Sequence, residues 1–96
     1  MNIPKQIKVG GINYQVEEKE TVAIGENKNY LGSCSYYDQK IEIKSDLGDE
    51  RKEQVFIHEL THAIFNEAGY DEHDEDEINR VAIVLHQVLK ENDFKN

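Results

Sequence analysis

The sequence predicts an α+β fold: a small, mainly antiparallel β-sheet made of two hairpins, followed by two packed helices, in a single domain over residues 1–96. Three observations carry that prediction. The first half, to residue 46, alternates polar and apolar residues in short runs broken by turn residues. The second half repeats its apolar residues at helical spacing. A chain of 96 residues also has material for one thin core and no second domain.

Gln6-Ile7-Lys8-Val9 and Ile12-Asn13-Tyr14-Gln15-Val16 alternate on either side of Gly10-Gly11, the pattern of a β-hairpin with a two-residue turn. Residues 17–31 are less decisive. Thr21 to Ile24 suits a short strand or one helical turn, and Gly25 to Asn29 reads as a loop. Gly32 to Tyr37 and Lys40 to Lys44 flank Asp38-Gln39 as a second hairpin. Ile41 and Ile43 then point to the core, and Glu42 and Lys44 to solvent.

A helix over 47–69 follows, capped by Ser45, Asp46 or Asp49 and stopped at Gly69. Its apolar stripe is Val55, Phe56, Leu60, Ala63, Ile64 and Ala68, widened by Ile57 and Phe65. Tyr70 to His73 form a short connection. A second helix over 74–91 presents Ile78, Val81, Ala82, Leu85, Val88 and Leu89 to the core, and Asn92 to Asn96 read as a frayed tail.

Twenty acids against eleven bases leave a net charge of −9. That balance argues against nucleic acid or an anionic membrane as partner, since both need a basic face. No apolar run approaches the roughly 18 residues of a membrane span, and no apolar stretch of a signal peptide follows Met1 to Lys5. Cys34 is the single cysteine, so no internal disulfide forms and the expected setting is a reducing cytoplasm. Its expected role is a small packed residue rather than a nucleophile.

The chemistry concentrates in His58-Glu59-Leu60-Thr61-His62, an H-E-x-x-H pattern inside the first helix. A shuffled chain of this composition carries the pattern about one time in fifty, so its context has to decide. Residues four apart share one helix face, so both imidazoles can aim at one point about 2 Å from each nitrogen, as Zn²⁺ requires. Glu59 points round the helix, where it reaches a water held by the metal rather than the metal itself. Ile57, Leu60, Ala63 and Ile64 supply an apolar surround.

A catalytic zinc takes three protein ligands and keeps one position open. Glycine and histidine at 65 and 68 would complete a metzincin pattern, but Phe65 and Ala68 stand there. A carboxylate from the second helix is the alternative. Glu75 and Glu77 lead, with Asp71, Glu72, His73, Asp74 and Asp76 behind them. At about 100° per residue, Glu75 heads a seam through Asn79, Ala82 and His86 beside the buried face, whereas Glu77 lies on the other border near Arg80. Residues 70–74, if extended, span about 16 Å, enough to bring Glu75 level with His62 provided the helices cross. In a tight hairpin His86 would face the histidines instead, so it stays a candidate.

His58-Glu-Leu-Thr-His62-Ala followed by Glu75-Asp-Glu-Ile-Asn79-Arg-Val-Ala82 resembles the gluzincin metallopeptidases, and within them the ImmA/IrrE-type branch with its small phage-encoded relatives. In that branch the zinc glutamate opens an E-x-E-A-N/D-x-F-A segment. Glu75, Asn79 and Ala82 match it, while Ile78 and Val81 replace its alanine and phenylalanine. Gly32 to Leu47 also resembles the strand pair before the helix, so the likeness covers about residues 32–92. It implies a zinc-dependent endopeptidase of a phage, prophage or mobile element, acting on a protein or peptide. Larger relatives are associated with cleavage of DNA-binding repressors.

The resemblance implies Glu59 as the general base, with His58, His62 and Glu75 on the zinc. Asn79 would hydrogen-bond the outer nitrogen of a ligand histidine, with His86 as a second candidate. Tyr70, Tyr37 and His73 would be candidates to stabilise the oxyanion. Lys40 to Lys44 would be the edge strand that receives substrate. The competing expectation is a non-catalytic zinc-containing module that binds a partner through its acidic face.

Overall fold

The computed structural model describes residues 1–94, so the expectation for the last two tail residues lies outside it. Its elements are β1 (Gln6–Val9), β2 (Ile12–Lys19), β3 (Val22–Ile24), β4 (Asn27–Tyr30), β5 (Gly32–Ser35), β6 (Lys40–Lys44), α1 (Asp49–Glu67) and α2 (Glu75–Glu91). The class is α+β, with a mostly antiparallel arrangement of strands ahead of two helices.

β1 and β2 form the expected hairpin, with Val9 opposite Ile12 across Gly10-Gly11. Both glycines have positive φ, 58° and 86°, as the twist of a two-residue hairpin turn demands. β2 runs on to Lys19 and pairs in parallel with β6, Val16 beside Ile41. β5 pairs antiparallel with β6 on its other side, so the sheet order is β1-β2-β6-β5. β6 is therefore an inner strand, which is why Ile41 and Ile43 are fully buried.

Residues 17–31 resolve into the end of β2 and a separate ribbon of β3 and β4. Asn27 to Tyr30 form a strand where the sequence reads a loop. All four residues are exposed, so no buried face imposes alternation on them and backbone pairing alone defines the strand. Val22 anchors the ribbon, fully buried. The second hairpin is shorter than expected: β5 ends at Ser35, whose hydroxyl pairs with Asp38, and Tyr36 and Tyr37 belong to the turn.

α1 lies on the sheet and α2 packs on α1. Val55, Phe56, Ile57, Leu60 and Ala63 of α1 meet Val9, Tyr14, Val16, Ile41 and Ile43 of the sheet and Ala82 of α2. Ile64 and Ala68, expected in the stripe, are exposed because they line an open groove between the β1 end of the hairpin and Leu85 and Leu89 of α2. Val81 is likewise 44% exposed. α2 is rolled so that Ile78 and Ala82 face α1, which brings the Glu75 side of the helix inward.

The helix ends are chemically distinct. Gly48, not Ser45, Asp46 or Asp49, is the N-cap of α1 and gives no side-chain bond. Asp46 is held instead by the Lys44 ammonium at 2.7 Å. Asp49 and Glu50 sit in the first turn, where the helix dipole favours anions. At the other end the Tyr70 N–H donates to the Phe65 carbonyl and the Gly69 N–H to that of Asn66, with Gly69 at φ 101°. This left-handed stop reverses the chain. Asp74 caps α2 by accepting from the Asp76 and Glu77 amides. Among the described residues no helix is long and apolar enough to cross a membrane.

Candidate metal centre

His58 and His62 are on successive turns of α1, on its α2-facing side. Their ring centroids are 5.0 Å apart. The reversal at Gly69 and the short connection deliver Glu75, the first residue of α2, to the same place. Its Oε1 lies 3.0 Å from His62 Nε2 and its Oε2 3.3 Å from His58 Nε2. One ligand atom from each residue falls within 4.8 Å of the others. Ligands held about 2.0–2.1 Å from a tetrahedral zinc are roughly 3.3 Å apart, so the donor set and its spacing fit that ion. The helices cross with Glu75, not residues 81–86, opposite the histidines.

The other carboxylates are engaged elsewhere or point outward. Glu77 is exposed and joins no histidine, while Asp74 caps α2 and Asp76 pairs with Arg80 at 2.9 Å. Asp71 and Glu72 are exposed. His86 does not reach the site. It donates to Glu53, a buried α1 carboxylate one turn before Ile57, at 3.0 Å. That hydrogen bond, with Lys90 at 3.4 Å, holds the Glu53 carboxyl below its usual range. Glu53 is thus a tie between the helices that spacing did not single out.

Glu59 is partly buried on the side facing β5. Burial first, and the Glu75 charge second, push its pKa up to about 7. That value suits a group that takes and returns a proton near neutral pH. Gly32 of β5 makes this approach possible: a Cβ there would overlap Val55 Cγ1 and crowd Glu59 Cγ at 3.2 Å. Burial, chiefly, raises the neighbouring Cys34 thiol to about 12, which leaves it protonated and not nucleophilic. Desolvation also lowers the His62 pKa against the pull of Glu75, so its ring favours the neutral form that binds a metal.

Of the candidates expected around the histidines, the structure brings His73 to the site and leaves the two tyrosines away from it. Tyr37 is 97% exposed and Tyr70 is 61% exposed, with its ring against Phe65. Tyr36 is the tyrosine at the site. Its hydroxyl lies 3.4 Å from His73 Nδ1, and burial, then the Cys34, Glu59 and Glu75 charges, raise its pKa to about 12. In sequence the Tyr36-Tyr37 pair offers no basis for choosing, because the turn, not strand alternation, aims the rings. The outer nitrogen of His62 is met by His73, Nδ1 to Nδ1 at 2.8 Å, while Asn79 lies on the cleft lining with His58. The signal for His73 was present: it is the one break in the acidic run from Asp71 to Glu77.

Beside His58 and Glu59 opens a cleft of about 600 Å³, walled by Tyr30, Leu31, Gly32, Val55, Ala82 and Ile83, with Asn79 also on its lining. Lys40 to Lys44 is not the strand at its rim, since β6 is enclosed by β2 and β5; the sheet edge on this side is β5. Compared with protein-family models, curated proteins and solved structures, the chain matches none, and the geometry of the site is what its chemistry is read from.

Proposed function

We propose that the protein is a zinc-dependent endopeptidase, with His58, His62 and Glu75 holding the metal and Glu59 as general base. One observation carries this: two imidazole nitrogens and a carboxylate converge beside a cleft, with no fourth protein ligand grouped with them among the described residues. Structural zinc sites are closed by four protein ligands, whereas catalytic sites keep a position open. When bound, zinc makes a water acidic near neutral pH and polarises a carbonyl oxygen.

The chain's own groups then have separate tasks. Glu59, whose burial raises its pKa above the ordinary carboxyl value, would accept the proton of the attacking water and return it to the leaving amine. The Tyr36 hydroxyl stays protonated to about 12 and donates to the carbonyl oxygen as it gains charge. β5 offers main-chain groups to an extended peptide, and the apolar cleft walls receive a side chain next to the cleaved bond. The likeness in residues 32–92 suggests a phage or mobile-element enzyme working in a bacterial cytoplasm on a protein substrate.

Metal analysis and a peptide-library digest test the reading together. Purified protein should hold about one zinc per chain, and His58→Ala or His62→Ala should lose it. Glu59→Gln should keep the metal and abolish hydrolysis. Hydrolysis should stop with chelator and return with zinc. Zinc bound at these residues with no cleavage of any peptide would favour the zinc-containing binding module. Absence of zinc binding would end both readings.

A further inference from the structure

We infer that His73 is a positioning residue for the metal site: it holds His62 in the tautomer whose Nε2 lone pair faces the zinc. This rests on the zinc reading above and adds to it a residue that neither the H-E-x-x-H pattern nor the second-helix segment contains.

Three contacts run in a line. Glu75 Oε1 meets His62 Nε2 at 3.0 Å, His62 Nδ1 meets His73 Nδ1 at 2.8 Å, and His73 Nε2 meets the Tyr70 carbonyl at 2.8 Å. The two rings lie within 20° of a common plane with centroids 5.1 Å apart. That separation is accounted for by the nitrogen–nitrogen distance plus the two ring radii. The rings therefore meet edge to edge, as a hydrogen bond requires, and not face to face.

Counting protons along this line assigns the tautomers. Both ends are acceptors only, a carboxylate oxygen and a backbone carbonyl. Two neutral imidazoles carry two ring protons for three contacts, so one contact must lack a proton. If the Tyr70 carbonyl takes the His73 Nε2–H, then His73 Nδ1 is a lone pair and accepts the His62 Nδ1–H. His62 Nε2 is then a lone pair facing the Glu75 oxygen, and a cation between them resolves the conflict. In the other two arrangements the unfilled contact is the His62–His73 pair or the His73 Nε2–Tyr70 pair; in both, His62 Nε2 carries a proton towards Glu75 and offers no lone pair to a metal. Zinc at the site thus selects the first order, and the Tyr70–His73 pair favours the zinc-ready form of His62.

The fold fixes His73 for this task. The stop at Gly69 sets the Tyr70 carbonyl. Phe65 and Tyr36 stand edge-on to the His73 ring, with centroids 5.8 and 5.9 Å away. Tyr36 shares His73 Nδ1 only at the longer distance, 3.4 Å against 2.8 Å, so His62 is the closer partner of that lone pair.

Zinc affinity and nitrogen-15 NMR on the full chain test the role. Competition against a chromophoric chelator should show His73→Leu weakening zinc binding about 10–100-fold. His73→Asn, whose side-chain oxygen can accept the same hydrogen bond, should recover most of it. Long-range proton–nitrogen spectra of the zinc-loaded wild-type protein should show His62 protonated at Nδ1 and metal-bound at Nε2, with His73 protonated at Nε2. Unchanged affinity in His73→Leu, or metal on His62 Nδ1, would overturn the role of His73 while leaving the zinc centre standing. Failure of the wild-type protein to bind zinc through His58, His62 and Glu75 would overturn the underlying reading instead, and this role with it. The wild-type spectra decide the matter even if the leucine variant does not fold.

Discussion

Replacing Glu59 with glutamine should stabilise the metal-free protein at pH 8 and change it little below pH 4.5. The folded-state pKa is raised from 4.5 to about 7, chiefly by burial. Between those values the folded chain keeps a proton that the unfolded chain has released. The contribution of Glu59 to wild-type stability is therefore highest below pH 4.5, falls as pH rises towards 7 and is level above it. At about 1.4 kcal/mol per pKa unit, the full cost of the ionised carboxylate is about 3 kcal/mol. Part of the shift comes from Glu75, whose 66% exposed side chain is screened by water, and the glutamine amide carries its own desolvation cost. The expected net gain is about 2 kcal/mol at pH 8. Urea denaturation followed by circular dichroism, in chelator at pH 4.5, 6, 7 and 8, measures the difference directly. A gain independent of pH, or one that grows towards acid, would refute the assignment of a buried, proton-holding carboxyl at this position.

Two further expectations concern the neighbourhood of Glu59. Gly32→Ala should destabilise the protein by about 1–3 kcal/mol, read from the urea midpoint, because the new methyl meets Val55 and Glu59 of α1. Tyr36→Phe should leave zinc content and KM unchanged and lower kcat about 100-fold in a peptide-hydrolysis assay, whereas Tyr37→Phe should do nothing.

Legibility in the sequence followed the range of the interactions involved. The Gly10-Gly11 hairpin, α2 and its Asp74 start could be read directly, because turn chemistry and helix capping act within a few residues. The α1 start is not legible from local capping chemistry, because several good capping residues precede it. Lys44 captured Asp46, and Gly48 took the cap position without a side-chain bond. β4 went unread because a strand with no buried face has no hydrophobic signature.

The pairing of His58 with His62 and the offset of Glu59 were settled by local spacing, since helix pitch belongs to the backbone and every α-helix repeats it. The position of the apolar stripe also set Glu75, on the seam through Asn79, Ala82 and His86, ahead of Glu77. That Glu75 lies beside both histidines is a tertiary fact, because it depends on the roll of α2 on α1, set by how Ile78 and Ala82 pack. Tertiary structure alone placed β6 inside the sheet, aimed Tyr36 rather than Tyr37, and laid His73 against His62. Those relations join groups that are distant along the chain or carried on turns, and packing of the whole core, not any local periodicity, determines where such groups meet.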